Sequence, residues 1–580
     1  MLARRWDIRT PNPGTVLALS AKHKVSHLVA TVMVNRGLTE GKSAARYLNP
    51  SLSTLSNPSV MAGMPEASAR FADAIENGQV TVLAGDYDCD GCAGLALMLR
   101  FCHLCGYESN VHIPQRSEGY GFHRDSLQIL KDQYNPSLII TVDVGISAFD
   151  TALLCRDLGI DLIITDHHTC GESLPEAIAV LNPHRSDCPY PFKALSGAGV
   201  AFALCSATTR LLIDRGYFAP GGEPDLRELL PLVALATIAD LVDLQGENRA
   251  LVFEGLKLFH MNTGLRALAR ASGLDPLAAP TAGQVGFKLA PLINASGRMD
   301  SAMLACELLS TDDEARADEL AQMLFSFNKE RQEIEAEMVA TAIATVEATP
   351  SLLQRTLVLF GEHNHAIQGI VASRLTERFH RPTVMLADMG DGTAKGSARS
   401  IKGFHLYDAL AEVSDLLKGF GGHPAAAGLT LDVANIENFR AAFDATEQAR
   451  SLSEEDLVPV IEIDAIATSE DLDLQTIDDL KCLQPFGMSN KGPVFCIQGA
   501  TVVLKKVIKE KHLKLKLEIG GQSFDAIGWG MAEVNTGGRK VDIAFTMEEN
   551  IWQNTKSVQL VLKDIKQAGV ARSQGGVAGV

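Results

Sequence analysis

Between residues 80 and 182 the chain alternates short apolar runs with stretches of helix length. The runs are Val80–Ala84 (VTVLA), Ser137–Val142 (SLIITV), Leu162–Thr165 (LIIT) and Ala177–Leu181 (AIAVL). They are rich in β-branched residues and show no polar alternation, the pattern of strands buried on both faces of a parallel sheet. Residues 228–244 read as a mostly apolar helix with Asp240 near its end. From Thr311 to Ala348 strong helix formers continue without Gly or Pro, which predicts a long connecting helix, with Thr311 and Glu314 placed for a capping box. A second α/β pattern runs from about residue 355 to 447. Beyond Asp456 the period changes to two: in Lys514–Ile519 (KLKLEI) lysines and a glutamate face one way and apolar residues the other. Several such strands in about 110 residues suggest an OB-type barrel. The fold class expected is therefore α/β, two α/β domains joined by a long helix, with a C-terminal all-β barrel. The boundaries read are a helical N-terminal segment at 1–69, a parallel-sheet domain at 70–250, a helical region with the connecting helix at 251–350, a second α/β domain at 351–450, the barrel at 455–567 and a disordered tail at 568–580.

The residues just after each strand carry the chemistry. The first run leads into Gly85–Gly91 (GDYDCDG), the second into Asp143, the third into Asp166-His167-His168. In open α/β sheets ligands bind at the carboxyl ends of the strands, so these groups should share one edge. Asp86, Asp88 and Asp90 alternate along a loop and would repel one another unless a cation lay between them. Hard carboxylate oxygens beside imidazole nitrogen suit Mg²⁺ or Mn²⁺. A solvated acidic turn or a Ca²⁺ loop fits the aspartates alone, but the strand before them and the absence of a downstream glutamate disfavour an EF-hand.

Composition narrows the class only a little. The 580 residues hold 46% hydrophobic and 21% charged side chains, ordinary for a globular protein. No uninterrupted apolar run reaches the roughly 18–20 residues of a membrane span, and no signal peptide is read at the start. Eleven cysteines argue against a disulfide framework and for a reducing cytoplasm. Cys89-x-x-Cys92 with Cys102-x-x-Cys105 mimics a zinc pattern, but thiolates there would disrupt the aspartate loop, so buried thiols are expected. A formal charge of -18 leaves nucleic acid open, because local charge and bound cations govern phosphate affinity.

In their order and spacing, GDYDCDG, Thr141–Gly145 (TVDVG), Thr165–His168 (TDHH) and Ala236–Asp240 (ATIAD) resemble the motifs of the DHH phosphoesterase superfamily. Asn182–His184 (NPH), Asn294–Arg298 (NASGR), Ile370–Leu375 (IVASRL), Gly396–Ser400 (GSARS), Gly421–Gly428 (GGHPAAAG) and Gln484–Gly487 (QPFG) resemble its RecJ branch, with DHH, DHHA1 and OB domains. The resemblance implies a 5′→3′ exonuclease that degrades single-stranded DNA in recombination and repair with two divalent cations, Mn²⁺ or Mg²⁺. It assigns the metal ligands to Asp86, Asp88, Asp90, Asp143, His167 and Asp240, with Asp143 bridging. It places His168 at the scissile phosphate or the leaving oxygen, counts Asp166 with it as catalytic, and places Arg116, Arg298, Ser373, Arg374 and His423 near phosphates. Any one of these arginines, taken alone, is more often a solvated or salt-bridged side chain. Lys514 and Lys516, within the run that begins at Lys505 and Lys506 and continues through Lys509 and Lys511, would line a single-strand track, with Phe524, Trp529 and Trp552 available for stacking. A single-stranded-DNA-binding protein and a helicase are the implied partners, with no membrane and a monomeric chain.

The chain departs from the family where a Trp-His pair is usual: here Asn364 stands between His363 and His365. Ser296 and Ala236 replace the usual Ala and Gly. Two alternatives remain, a small-substrate DHH phosphodiesterase acting on oligonucleotides or cyclic dinucleotides, and a catalytically silent DNA-binding replication scaffold. The first lacks a reason for the barrel, the second for a complete carboxylate set.

Overall fold

The computed structural model describes residues 4–39, 41–115, 119, 121–361, 364–534, 536, 539–553 and 555–569. Arg116, His363 and residues 570–580 of the expected tail lie outside them. The chain divides into two compact units. One comprises Ala45–Glu330 with Leu483–Gly492, the other Met1–Ala44, Arg331–Cys482 and Pro493–Val580.

In the Ala45–Glu330 unit five parallel strands form one sheet: Thr81–Gly85 (β1), Asn110–His112 (β2), Leu138–Val142 (β3), Asp161–Thr165 (β4) and Ala179–Leu181 (β5), in the order β2-β1-β3-β4-β5. The continuous apolar runs are explained by the two cores they serve. Leu83, Ile140 and Ile163 enter one cluster, while Val82, Ile139 and Ile164 enter the other. β2 is too short and too mixed (NVH) to show in the apolar pattern. The helix Cys89–Leu104 (α1) comes after β1, and Gly94 allows its close approach, since a Cβ there would lie 2.6 Å from Val142 Cγ1. The helix Gly197–Asp214 (α2) is long and apolar enough to cross a membrane by composition, which the sequence pattern did not suggest. Its small residues pack it into the core, with 67% of that window buried. Leu230–Ala239 (α3) is buried along nearly its whole length and ends at Asp240. Further on, Ala282–Gln284, Val285–Leu289 and Ala290–Met299 run on as one helix whose middle segment has π geometry.

Glu314–Ala348 (α4) is the expected long helix. Its start is capped by Asp313, whose Oδ1 accepts from Ala315 N and Arg316 N, and not by Thr311. Asp competes well for this position, and its carboxylate also suits the positive helix end.

In the other unit Leu357–Gly361 (β6), Thr383–Asp388 (β7), Thr393–Arg399 (β8), Gly419–Gly422 (β9) and Ala426–Asp432 (β10) form a mixed sheet ordered β9-β10-β8-β7-β6, against which Gln368–Phe379 (α5) packs. A barrel comes next, from Ala465–Ile466 (β11), Phe495–Ile508 (β12), His512–Ile519 (β13), Gln522–Gly528 (β14), Lys540–Trp552 (β15) and Thr555–Gln567 (β16). The order β11-β12-β13-β14-β16-β15 closes through pairing of β12 with β15. Leu513, Leu515 and Leu517 point inward and Lys514 and Lys516 outward, as the period-two pattern requires. The N-terminal segment carries helices at Pro13–His23, His27–Asn35 and Gly41–Leu48, but it opens with a strand: Arg5–Ile8 pairs in parallel with Val460–Ile463, a partner about 455 residues away that no local pattern could reveal.

Candidate metal centre

The carboxyl ends of β1, β3 and β4 bring the acidic and imidazole groups together. Asp88 is the N-cap of α1: its Oδ1 accepts from Asp90 N at 2.9 Å and Gly91 N at 3.0 Å. Gly91 is required, because a Cβ there would lie 2.4 Å from the Asp86 carbonyl oxygen. Asp90 turns inward and is held by the start of α2, accepting from Gly197 N at 2.7 Å and Ala198 N at 2.8 Å. Asp143 occupies the left-handed region at φ 63°, a conformation Asp tolerates better than most residues. Gly197 makes room for it, since a Cβ at Gly197 would fall 2.5 Å from Asp143 Cβ.

Three groups of ligand atoms lie within 4.8 Å of one another: Asp86, Asp88 and Asp143; Asp90, His167 and Asp240; and Asp143, His167 and His168. Asp143 belongs to two of them. His167 Nε2 stands 3.1 Å from Asp143, 3.5 Å from Asp240 and 3.7 Å from Asp90, yet makes no hydrogen bond among the described residues. Burial and then the neighbouring Asp90 and Asp88 charges push Asp143 well above the usual carboxylate range. Asp90 is raised, chiefly by burial, and Asp240 is pushed up to about 8 by burial and by Asp90 and Asp88. Burial lowers His167, although Asp90 opposes it. A neutral imidazole aimed into buried carboxylates is the donor set a divalent cation satisfies, because each ligand is then held in its deprotonated form. The residues present fit a pair of Mn²⁺ or Mg²⁺ ions.

Asp166 is not part of these groups. Its buried carboxylate accepts from Ile146 N, His167 N and His168 N, and His168 Nδ1 lies 2.8 Å from Asp166 Oδ1. Burial alone would raise Asp166, but the His168 hydrogen bond and charge outweigh it and hold the carboxyl low. The same pairing overcomes the effect of burial on His168 and raises it to about 9. Asn182 Nδ2 donates to the His168 carbonyl at 2.9 Å and fixes the turn behind it. One supporting residue went unread for its role: Asn294 Oδ1 accepts from Cys89 N at 3.0 Å and pins the aspartate loop from a distant helix. Cys89, Cys92, Cys102 and Cys105 are free and buried, and the three ligand groups contain no cysteine.

The sequence matches the DHH family N-terminal domain over residues 80–237, the DHHA1 domain over 354–449 and the RecJ OB domain over 463–564. It is 37% identical over 569 residues to the single-stranded-DNA-specific exonuclease RecJ of Bacillus subtilis, covering 97% of this chain and 70% of the relative. The chain belongs to the RecJ family. The RecJ of Escherichia coli is 33% identical, with 91% and 94% of the two chains covered. The crystal structure of RecJ from Thermus thermophilus in complex with Mn²⁺ superposes with a TM-score of 0.82 at 30% identity, covering 97% of this chain and 79% of that one. A second structure of that RecJ contains Mg²⁺ and gives a TM-score of 0.76 at 29% identity, covering 97% and 78%.

Within this chain the other expected contacts are spread over both units. Arg298 lies half-buried near the end of the 282–299 helix, in the same unit as the metal centre. Ser373, Arg374 and His423 belong to the other unit. Ser373 Oγ donates to the Gly369 carbonyl. Arg374 is salt-bridged: its Nε meets Glu335 Oε1 at 2.9 Å, while Glu335 Oε2 takes Arg331 Nη1 at 2.7 Å. Glu335, on the long helix, had no motif to mark it. His423 is exposed beside Gly422, and its N–H donates to the Ala426 carbonyl. Asn364 turns on itself, its Oδ1 accepting from Ala366 N. Lys514 and Lys516 are exposed, Lys514 at 3.9 Å from Asp525. Trp529 and Trp552 are exposed, and Trp529 packs edge-on against His512. Phe524 is a correction: it is 8% exposed, because its place on β14 points it into the barrel core, where it cannot stack on a base.

Proposed function

We propose that this chain hydrolyses single-stranded DNA from its 5′ end. The observation that carries the reading is the convergence of Asp86, Asp88, Asp90, Asp143, His167 and Asp240 at one sheet edge, with Asp143 shared between ligand groups. Asp86, Asp88 and Asp143 would hold one divalent cation, and Asp90, Asp143, His167 and Asp240 the other. When bound, such a pair supplies a deprotonated water at neutral pH and charge for the attacking and leaving oxygens. No side chain need act as nucleophile. Asp166 holds His168 by Nδ1, so the opposite ring edge can donate to a phosphate oxygen or to the departing oxygen. Gly197 N and Ala198 N fix Asp90, and Asn294 fixes the loop, so the ligands need little rearrangement.

Arg298, Ser373, Arg374, His423 and Arg116 are the proposed phosphate contacts, Arg374 with its guanidinium oriented by Glu335. Lys514 and Lys516 lie on an outward barrel face that would track the backbone of an unpaired strand. A single-stranded-DNA-binding protein and a helicase that supplies tails are the partners this activity calls for, with the chain acting as a monomer in the cytoplasm.

Digestion of strands labelled at the 5′ or the 3′ end, beside duplex and dinucleotide, with Mn²⁺, tests the reading. Mononucleotides released from the 5′ end of single strands are expected. Cleavage of dinucleotide alone would overturn it.

A further inference from the structure

Phe287 is 89% exposed, the most exposed large apolar side chain among the described residues. It sits in the π segment Val285–Leu289, where Ala290 N–H reaches back to Val285 O. The cause lies four residues on. Pro291 has no N–H for the Phe287 carbonyl, and its ring would clash with that carbonyl in a regular α-turn. The widened turn rests on α3, with Gly286 against Ile238, two residues before Asp240. Pro291, Asn294 and Arg298 are half-buried and follow the exposed Phe287 at spacings of four, three and four, so these four positions form one stripe. The stripe ends at the metal centre: Asn294 binds Cys89 N, and Gly297 packs on the Tyr87 carbonyl, where a Cβ would come within 2.7 Å.

We propose that Phe287 is a stacking platform for a nucleobase of the substrate strand, one or two nucleotides from the phosphate being cut. Seven helical residues separate Phe287 from Asn294, roughly 10 Å along the axis. That is on the order of one to two nucleotide steps of a strand whose phosphate lies at the Asp88–Asp90 loop. Exposed aromatic faces bind bases without regard to sequence, as degradation of any strand requires. Lys288, exposed beside Phe287, adds a cation for the backbone. This inference rests on the nuclease reading above and adds a base contact to it.

The test walks 2-aminopurine along a 5′-phosphorylated oligonucleotide with Ca²⁺ replacing the catalytic ion. Quenching should peak one or two positions from the bound phosphate and disappear in Phe287→Ala. In turnover with Mn²⁺, Phe287→Ala should raise KM for oligonucleotides roughly tenfold, a larger loss than for bis(p-nitrophenyl) phosphate, which carries no base. Phe287→Trp should restore KM, and Phe287→Leu should not. An abasic substitution at the quenched position should cost the wild type the same factor and cost Phe287→Ala nothing further. Equal quenching in wild type and Phe287→Ala, or rescue by Leu as complete as by Trp, overturns the stacking role while leaving the nuclease reading intact. Failure of the wild type to degrade single strands removes the nuclease reading itself.

Discussion

The two α/β sheets of this chain treat charge in opposite ways. The parallel sheet gathers carboxylates and two histidines at one edge, and burial together with the neighbouring carboxylate charges raises Asp90, Asp143 and Asp240 above ordinary carboxylates. The mixed sheet and the helices against it carry cations. Arg374 there is already answered by Glu335, which also takes Arg331, and 54% of the Arg374 side chain remains exposed. The first arrangement is incomplete without an added cation, because unscreened like charges in a buried site are costly. The second is nearly balanced by itself, so a phosphate there would compete with a carboxylate already in place. The difference separates a site that calls for an added ion from a surface whose charges are already paired within the protein.

The sharpest way to break this contrast is Asp143→Ala. Activity on single strands should fall roughly 10³-fold or more. Wild type should gain Tm on adding Mn²⁺, whereas the variant should not. A variant that still gains stability from Mn²⁺ would show that the ions sit elsewhere. Next in size, His168→Ala should lower kcat about 10²-fold with KM little changed, and Asp166→Asn should approach the same loss, as measured by initial rates. Arg374→Ala should cost about tenfold on 5′-phosphorylated ends and much less on 5′-hydroxyl ends. Equal losses on both would remove Arg374 from the end-recognition surface. The double variant Lys514→Gln with Lys516→Gln should weaken strand affinity a few-fold and flatten its salt dependence, by about 0.7 in logarithmic slope for each phosphate no longer neutralised.

The smallest effect concerns pH. Asp240 titrates near 8 in the metal-free fold, against about 4 for a free carboxyl, and His168 near 9 against about 6.5. Both are raised, so each contributes stability that is complete below its unfolded value and is lost as pH rises through its folded value. Metal-free protein should therefore melt a few degrees lower at about pH 8.5 than at about pH 6. Mn²⁺ reverses the carboxylate part, so the Tm gain on adding it should grow over the same interval. A gain independent of pH would mean that the carboxylates are already ionised without metal.

Much of the metal centre was legible because a parallel sheet sends its strand ends to one edge, and the residues after β1, β3 and β4 stand next to those strands in the chain. The short β2, with no apolar run, was not. Neither were the backbone donors of Gly197 and Ala198 or the clamp from Asn294, since these contacts close over more than a hundred residues. Phe524 shows the limit of reading aromatics by type: one step along a strand decides whether a ring faces core or solvent. Arg374 shows the same for charge, as its partner Glu335 sits 39 positions away on a helix with no recognisable motif. The strand Arg5–Ile8 eluded the pattern because its partner lies near the opposite end of the chain.

The hydrogen bond from Cys89 to Asn294 spans 205 positions and also sets a timetable for biosynthesis. At translation rates of about 5–20 residues per second, the aspartate loop leaves the ribosome roughly 10–40 seconds before the side chain that steadies it. A nascent chain therefore carries its acidic ligands well before it can hold them in working order, and nuclease competence arrives late in synthesis.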